Sequence, residues 1–175
     1  MATVRNLTGS IDALHQYWRG LAGGVAPQRD DVDPAAIKQL LPYLYIVKFE
    51  TNPFRVRYVL VGTEADRWND LSLTGRYLNE FLPVDRNSAN HTLLESYHRA
   101  FETGAPVFGS YTWPTRAGYT LKVRFGMFPL RVGEKIEQCL AIEDYSDFPP
   151  EIADDGIPSQ DPVKDAAAEN AERKP

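Results

Sequence analysis

The sequence predicts a single α+β domain. Three observations carry that reading. Five stretches are rich in β-branched and aromatic residues. One long segment between the second and third of them has helical spacing instead. Short turn-forming links join the strands on either side of that segment, as hairpins require.

The elements follow in order. Thr8 to Asp12 opens a helix, with Thr8 or Ser10 as cap and Asp12 at the positive end of its dipole. Ile11, Leu14, Trp18 and Leu21 recur at helical spacing, and Gly23 and Gly24 stop the helix. Asp33 and Pro34 read as N-cap and first turn, which predicts a short helix from Pro34 to about Leu41. Its apolar face holds Ile37, Leu40 and Leu41, and Pro42 breaks it. Tyr43 to Glu50 is a strand, Thr51 to Phe54 a tight turn, and Arg55 to Val61 the second strand of a hairpin. Alternation there turns Val56, Tyr58 and Leu60 toward the core, and Arg55 and Arg57 toward water. Gly62 ends the strand.

Short helical turns are expected over Thr63 to Asn69 and Leu78 to Leu82, with a turn at Leu73 to Arg76 between them. The longest helix is Asp85 to Glu102. Asp85 and Asn87 are cap candidates, Leu93, Leu94, Tyr97 and Phe101 share one side, and Gly104 closes it. Three strands follow: Val107 to Trp113, Tyr119 to Phe128 and Ile136 to Tyr145. Their links, Pro114 to Gly118 and Arg131 to Lys135, are glycine-containing loops of hairpin length. Tyr119, Leu121, Val123 and Phe125 share a face opposite Lys122 and Arg124, and Leu140 and Ile142 point inward. From Phe148 on, Pro, Asp, Ala and Glu dominate, and residues from about 149 read as disordered.

Composition narrows the function classes. The chain has 175 residues, a one-domain length, and a net charge of -5, which argues against general nucleic-acid binding. Its one cysteine, Cys139, forms no internal disulfide and suits a reducing compartment. The first residues lack the apolar run of a signal peptide, and no stretch approaches the ~18 apolar residues of a membrane span. The expected location is the cytoplasm, with neither nucleic acid nor membrane as partner.

The order of two strands, short helices, one long helix and three strands resembles that of a PAS domain. Local runs sharpen the resemblance: Tyr58 to Thr63 at the end of the second strand, Leu73 to Leu78 at the glycine turn, and Phe128 to Leu130 before the closing strand. The series Tyr17 to Arg19, Asp33 and Pro34, Leu40 to Leu44, Phe54 to Thr63, and Leu73 to Leu78, in that order, is similar to a small bacterial PAS-like family of mostly single-domain proteins without a fixed biochemical role. The resemblance covers about residues 10 to 145. It implies a five-stranded antiparallel sheet with helices across one face and an N-terminal flanking helix. The division is then 1–42 as the flanking helical segment, 43–147 as the PAS-like core and 148–175 as the tail. It further implies a non-catalytic sensory or signal-transduction module whose ligand the fold alone does not name; with no kinase, helix-turn-helix or cyclase motif in view, the signal is expected to pass to a separate output protein.

No site-forming motif competes with this. Some PAS domains hold haem through a histidine on the long helix, where His91 and His98 lie, but the apolar stripe places His98 at its edge and predicts solvated histidines. Cys139 sits on the last strand, away from the early helix whose cysteine serves flavin photochemistry in related sensors. No cofactor and no metal is expected, and no enzyme. Asp66, Asp70, Glu80 and Asp144 read as scattered surface acids. The positive signal is aromatic. Tyr58, Tyr97, Phe101, Tyr111 and Phe125, with Leu60, Val123 and Leu140, are the candidates for lining a pocket for a small apolar or aromatic ligand. A filled core of the same residues is the alternative. Ile11, Leu14, Trp18 and Leu21 are the candidates for a homodimer contact, with docking on their own sheet as the alternative.

Overall fold

The computed structural model describes residues 9–69, 71–114 and 120–146. The cap Thr8, Asp70, the loop ahead of Tyr119, Tyr119 itself and the tail lie outside the described residues.

Five antiparallel strands form one sheet in the order β2-β1-β5-β4-β3. They are β1 (Leu44–Glu50), β2 (Arg55–Val61), β3 (Val107–Pro114), β4 (Thr120–Val132) and β5 (Lys135–Asp144). The expected hairpins form. Asn52, at φ 63, helps turn β1 into β2, and Gly133, at φ 67, turns β4 into β5. β5 then pairs with β1, with Tyr45 opposite Ala141, and this joins the first hairpin to the last three strands.

Both faces of the sheet are covered. On the inner face α2 (Thr63–Asn69), a 3-10 turn at Leu78–Phe81 and α3 (Ala89–Thr103) pack against Val47, Phe49, Val56, Tyr58, Val123 and Phe125. On the outer face α1 (Ser10–Leu21) and the segment that follows it pack against Leu44, Ile46, Phe128, Leu130, Leu140 and Ile142. The central strands are therefore buried on both sides, and Cys139 to Asp144 of β5 are all buried. That is the physical reason the alternation of an exposed sheet is missing there.

Several expectations are corrected. The segment from Pro34 to Leu40 is a chain of turns, not a helix. Ala36, Ile37, Leu40 and Tyr43 each donate to the carbonyl three residues back, and a 3-10 turn follows at Leu41–Tyr43. Asp33 therefore caps no helix; its side chain closes an Asx turn by accepting from the Ala35 amide at 2.9 Å. Ser88, not Asp85 or Asn87, caps α3. Asp85 instead closes a local turn by accepting from the Asn87 amide. Ser10 is the first residue of α1 rather than its cap, and Gly9 takes the cap position at φ 86.

Two core assignments move as well. The β1–β2 register shifts between Ile46 and Val47, so Ile46 faces Leu60 while Val47 faces Tyr58. The extra residue on β2 is Val59, and this bulge breaks the alternation. Leu60 is left 45% exposed instead of pointing into the core. Leu140 and Ile142 are fully buried, but in the outer layer with Leu14 and Trp18. The inward positions on β5 are Cys139, Ala141 and Glu143.

Candidate functional site

The inner face carries one buried polar cluster, centred on Glu143. Cys139 and Ala141 precede it at period two, and their small side chains leave room for tyrosines from the flanking strands. Glu143 is 7% exposed. Tyr45 of β1 donates its hydroxyl to Glu143 Oε2 at 2.8 Å, and Tyr111 of β3 donates to Oε1 at 3.0 Å. Tyr145, just past β5, donates to Oε2 as well. Asn69, the last residue of α2, donates through Nδ2 to Tyr45 Oη at 3.2 Å and to the Ala65 carbonyl at 2.7 Å. Trp68 stacks on Tyr145, with ring centroids 5.1 Å apart and planes 9° apart. β1, β3 and the end of β5 thus converge on a single carboxylate, and α2 reaches it through Tyr45.

Electrostatics sets what this cluster does. Burial pushes the Glu143 carboxyl above its ordinary range, and the three tyrosine hydroxyls pull it back part of the way. Burial, followed by the charge of Glu143, pushes Tyr45, Tyr111 and Tyr145 well above the usual phenol value. The tyrosines remain neutral donors. Burial also raises the Cys139 thiol, which leaves it protonated and unreactive. The arrangement holds a proton acceptor among neutral donors in a water-poor setting. Such a set offers hydrogen bonds in a low-dielectric interior, and none of its members is an activated nucleophile.

The sequence candidates divide around this cluster. Tyr58, Tyr97, Tyr111, Val123 and Phe125 are buried on the inner face, and Phe101 is partly buried beside Phe49 and Phe54. Leu60 and Leu140 are not among them, for the reasons given above. Glu143, Tyr45, Tyr145, Trp68 and Asn69 escaped the sequence reading. One signal was present: Cys139, Ala141 and Glu143 sit at period two, so an acid follows two small apolar residues on one face. Asp144, read as a surface acid, is 5% exposed and pairs with Arg124 at 3.1 Å.

The remaining candidates lie elsewhere. The His91 ring meets the Pro83 carbonyl at 2.9 Å, and His98 lies at the surface, edge-on to Phe54 and 3.7 Å from Glu102. Among the described residues no group of three or more His, Cys, Asp or Glu is placed to hold a metal ion. No helix among them is long and apolar enough to cross a membrane. α1 docks on its own sheet. Leu14 is fully buried, Trp18 is 7% exposed, and the Trp18 indole donates to the Pro129 carbonyl at 2.8 Å. Those two residues are therefore unavailable to a second chain. Ile11 and Leu21 remain half-buried.

Comparison with known proteins identifies a family. The PAS domain family matches residues 7–140. Among solved structures, an RNA-binding light-oxygen-voltage receptor aligns with 88% of this chain at 15% identity and a TM-score of 0.47, and the chain spans 43% of that protein's length. VqmA of Vibrio cholerae aligns over 64% of this chain and 50% of its own, at 18% identity and a TM-score of 0.45. The PAS domain of a protein from Colwellia psychrerythraea aligns over 65% of this chain and 98% of its own, at 12% identity and a TM-score of 0.43. No functionally curated protein matches the chain.

Proposed function

The chain belongs to the PAS domain family, and on that premise we propose that it is a non-catalytic sensory module. It reads a small ligand with an apolar or aromatic body on the inner face of its sheet and acts through a separate partner protein. One observation carries this reading: a buried carboxylate, Glu143, ringed by three tyrosine hydroxyls between aromatic walls. Polar groups set into an aromatic core fix the orientation of a ligand, and a purely structural core has little use for them. The raised pKa of the Cys139 thiol supports the absence of covalent chemistry.

The pocket residues in this proposal are Tyr58, Tyr97, Phe101, Tyr111, Val123 and Phe125, joined by Tyr45 and Glu143. Residues 43–147 form the sensing core, and the flanking segment within 1–42 covers the opposite face. The protein works in the cytoplasm as a homodimer, to which α1 contributes Ile11 and Leu21 at most.

A second reading has its own observation. Both oxygens of Glu143 already accept hydrogen bonds, which favours a filled core and an interaction module without a ligand. Native mass spectrometry of the freshly purified protein separates the two. A bound mass that is released on denaturation is expected. A bare chain mass from every preparation would overturn ligand sensing in favour of the second reading, and the same spectrum reports the oligomer.

A further inference from the structure

We propose that the inner face recognises a small, neutral, planar amide between Trp113 and Asn90, with the ligand's carbonyl oxygen on Trp113 Nε1 and its N–H on Asn90 Oδ1. This deepens the ligand-sensing reading and rests on it. Both atoms are buried and have no hydrogen-bond partner among the described residues. Asn90 is 6% exposed, and its Nδ2 is committed to the Phe81 carbonyl at 2.8 Å. A carbonyl only accepts, so the amide nitrogen must face Phe81 and Oδ1 is the free end. The indole of Trp113 offers one donor and no acceptor. A donor and an acceptor left unpaired inside a protein are each costly, and native structures seldom keep them without reason.

The fold brings the two to one end of the sheet. α3 ends at Thr103, Gly104 takes φ 62, and β3 begins at Val107, so the strand runs back beneath the helix. Asn90 lies about 20 Å up the helix from Thr103. Trp113 lies about 20 Å along the strand from Val107. Trp113 follows Tyr111 on the same face, with ring centroids 6.0 Å apart, and sits opposite Leu121 of β4. Leu93 lies one turn along from Asn90 on the buried side of α3. Tyr111 links this end to Glu143, and the carboxylate lies one step deeper along the sheet.

Charge narrows the ligand. The Asn90 carbonyl oxygen and the Glu143 carboxylate disfavour an anion. The Trp113 N–H, which only donates, cannot bind an ammonium group. One acceptor and one donor carried by the same carbon of a flat group meet both needs, and that is the edge of an amide or lactam. Aromatic and apolar neighbours, Tyr111, Phe81 and Leu93, suit a ring attached to it.

Benzamide is a suitable probe, with benzoate and toluene as controls, titrated into the 15N-labelled full chain. The three indole N–H resonances are read, and that of Trp113 is assigned from Trp113→Phe. Benzamide should move the Trp113 resonance saturably and leave that of Trp18, held by the Pro129 carbonyl, in place. Benzoate and toluene should bind at least tenfold more weakly, and Asn90→Leu should weaken benzamide by at least tenfold while the Trp18 resonance reports an intact fold. Toluene binding as tightly as benzamide, with Trp113 unmoved, would overturn the amide site and leave ligand sensing standing. Benzamide binding that survives both substitutions would overturn it equally. No probe bound, together with a bare mass in the native spectrum, would overturn both.

Discussion

Replacing Trp18 by alanine distinguishes a helix that completes its own core from one that serves a second chain. The indole is 7% exposed, packs beside Phe128 with ring centroids 6.4 Å apart, and donates to the Pro129 carbonyl at 2.8 Å across 111 positions of sequence. Truncating a buried tryptophan loses its transfer energy and opens a cavity, about 3–5 kcal/mol together. For a domain of this size each kcal/mol lowers Tm by roughly 2–4 °C, so a drop of about 6–20 °C is expected. Trp18→Phe keeps most of the apolar volume and strands the Pro129 carbonyl. It should cost about 1–2 kcal/mol. Urea unfolding followed by circular dichroism gives both values, and light scattering at tens of micromolar gives the oligomer. If Trp18→Ala yields a folded monomer with the wild-type midpoint, the docking of α1 on its own sheet is wrong and the helix belongs to a dimer contact.

Three further outcomes follow from the two-layer arrangement. Leu60→Lys should change stability by no more than about 0.5 kcal/mol, because the bulge at Val59 exposes it, whereas Leu140→Ala should cost about 2–5 kcal/mol; equal effects in urea melts would contradict the register. Gly109→Ala places a methyl group 2.5 Å from the Phe125 ring and should destabilise by about 1–3 kcal/mol, measured the same way, with an unchanged midpoint counting against the close approach. Glu143→Gln tests the buried acid through pH. Burial raises the folded-state pKa of Glu143, so its contribution to stability is fully present below the unfolded carboxyl range and is lost as pH rises through the folded value. Glutamine has no such dependence, so the variant should gain on wild type as pH rises above the unfolded carboxyl range. A variant that loses ground over that rise would mean the hydroxyl donors outweigh burial.

The hydrogen bonds of the cluster explain how the domain keeps an acid in its core. A carboxylate held by neutral donors from β1, β3 and the end of β5 ties those strands to one point. Asn69 adds α2 to the same network. A ligand that exchanged one of these bonds for its own would be felt in several elements at once, as a sensor requires.

The sequence alone determined the order of the five strands and the place of α1 and α3, because each rests on local chemistry; the helix expected from Pro34 to Leu41 was the exception. Period-two alternation marked β2 and β4, glycines with positive φ closed the turns, and the stripe Leu93, Tyr97 with Phe101 marked the packed side of α3. The aromatic inner face was legible for the same reason. What needed the tertiary structure is which layer each buried residue belongs to. Leu140 and Cys139 are equally apolar neighbours, and nothing local says that the outer layer takes the first and the inner layer the second. That follows only once β5 is placed at the centre of the sheet with cover on both faces. The exposure of Leu60 depends on a bulge set by pairing with β1, across the hairpin. Trp18 looked the same as an interface anchor or a core residue until the Pro129 carbonyl came within reach of its indole. Glu143 stayed unseen because an acid ending a strand usually faces water. Only the meeting of Tyr45, Tyr111 and Tyr145, drawn from positions a hundred residues apart, made its burial affordable.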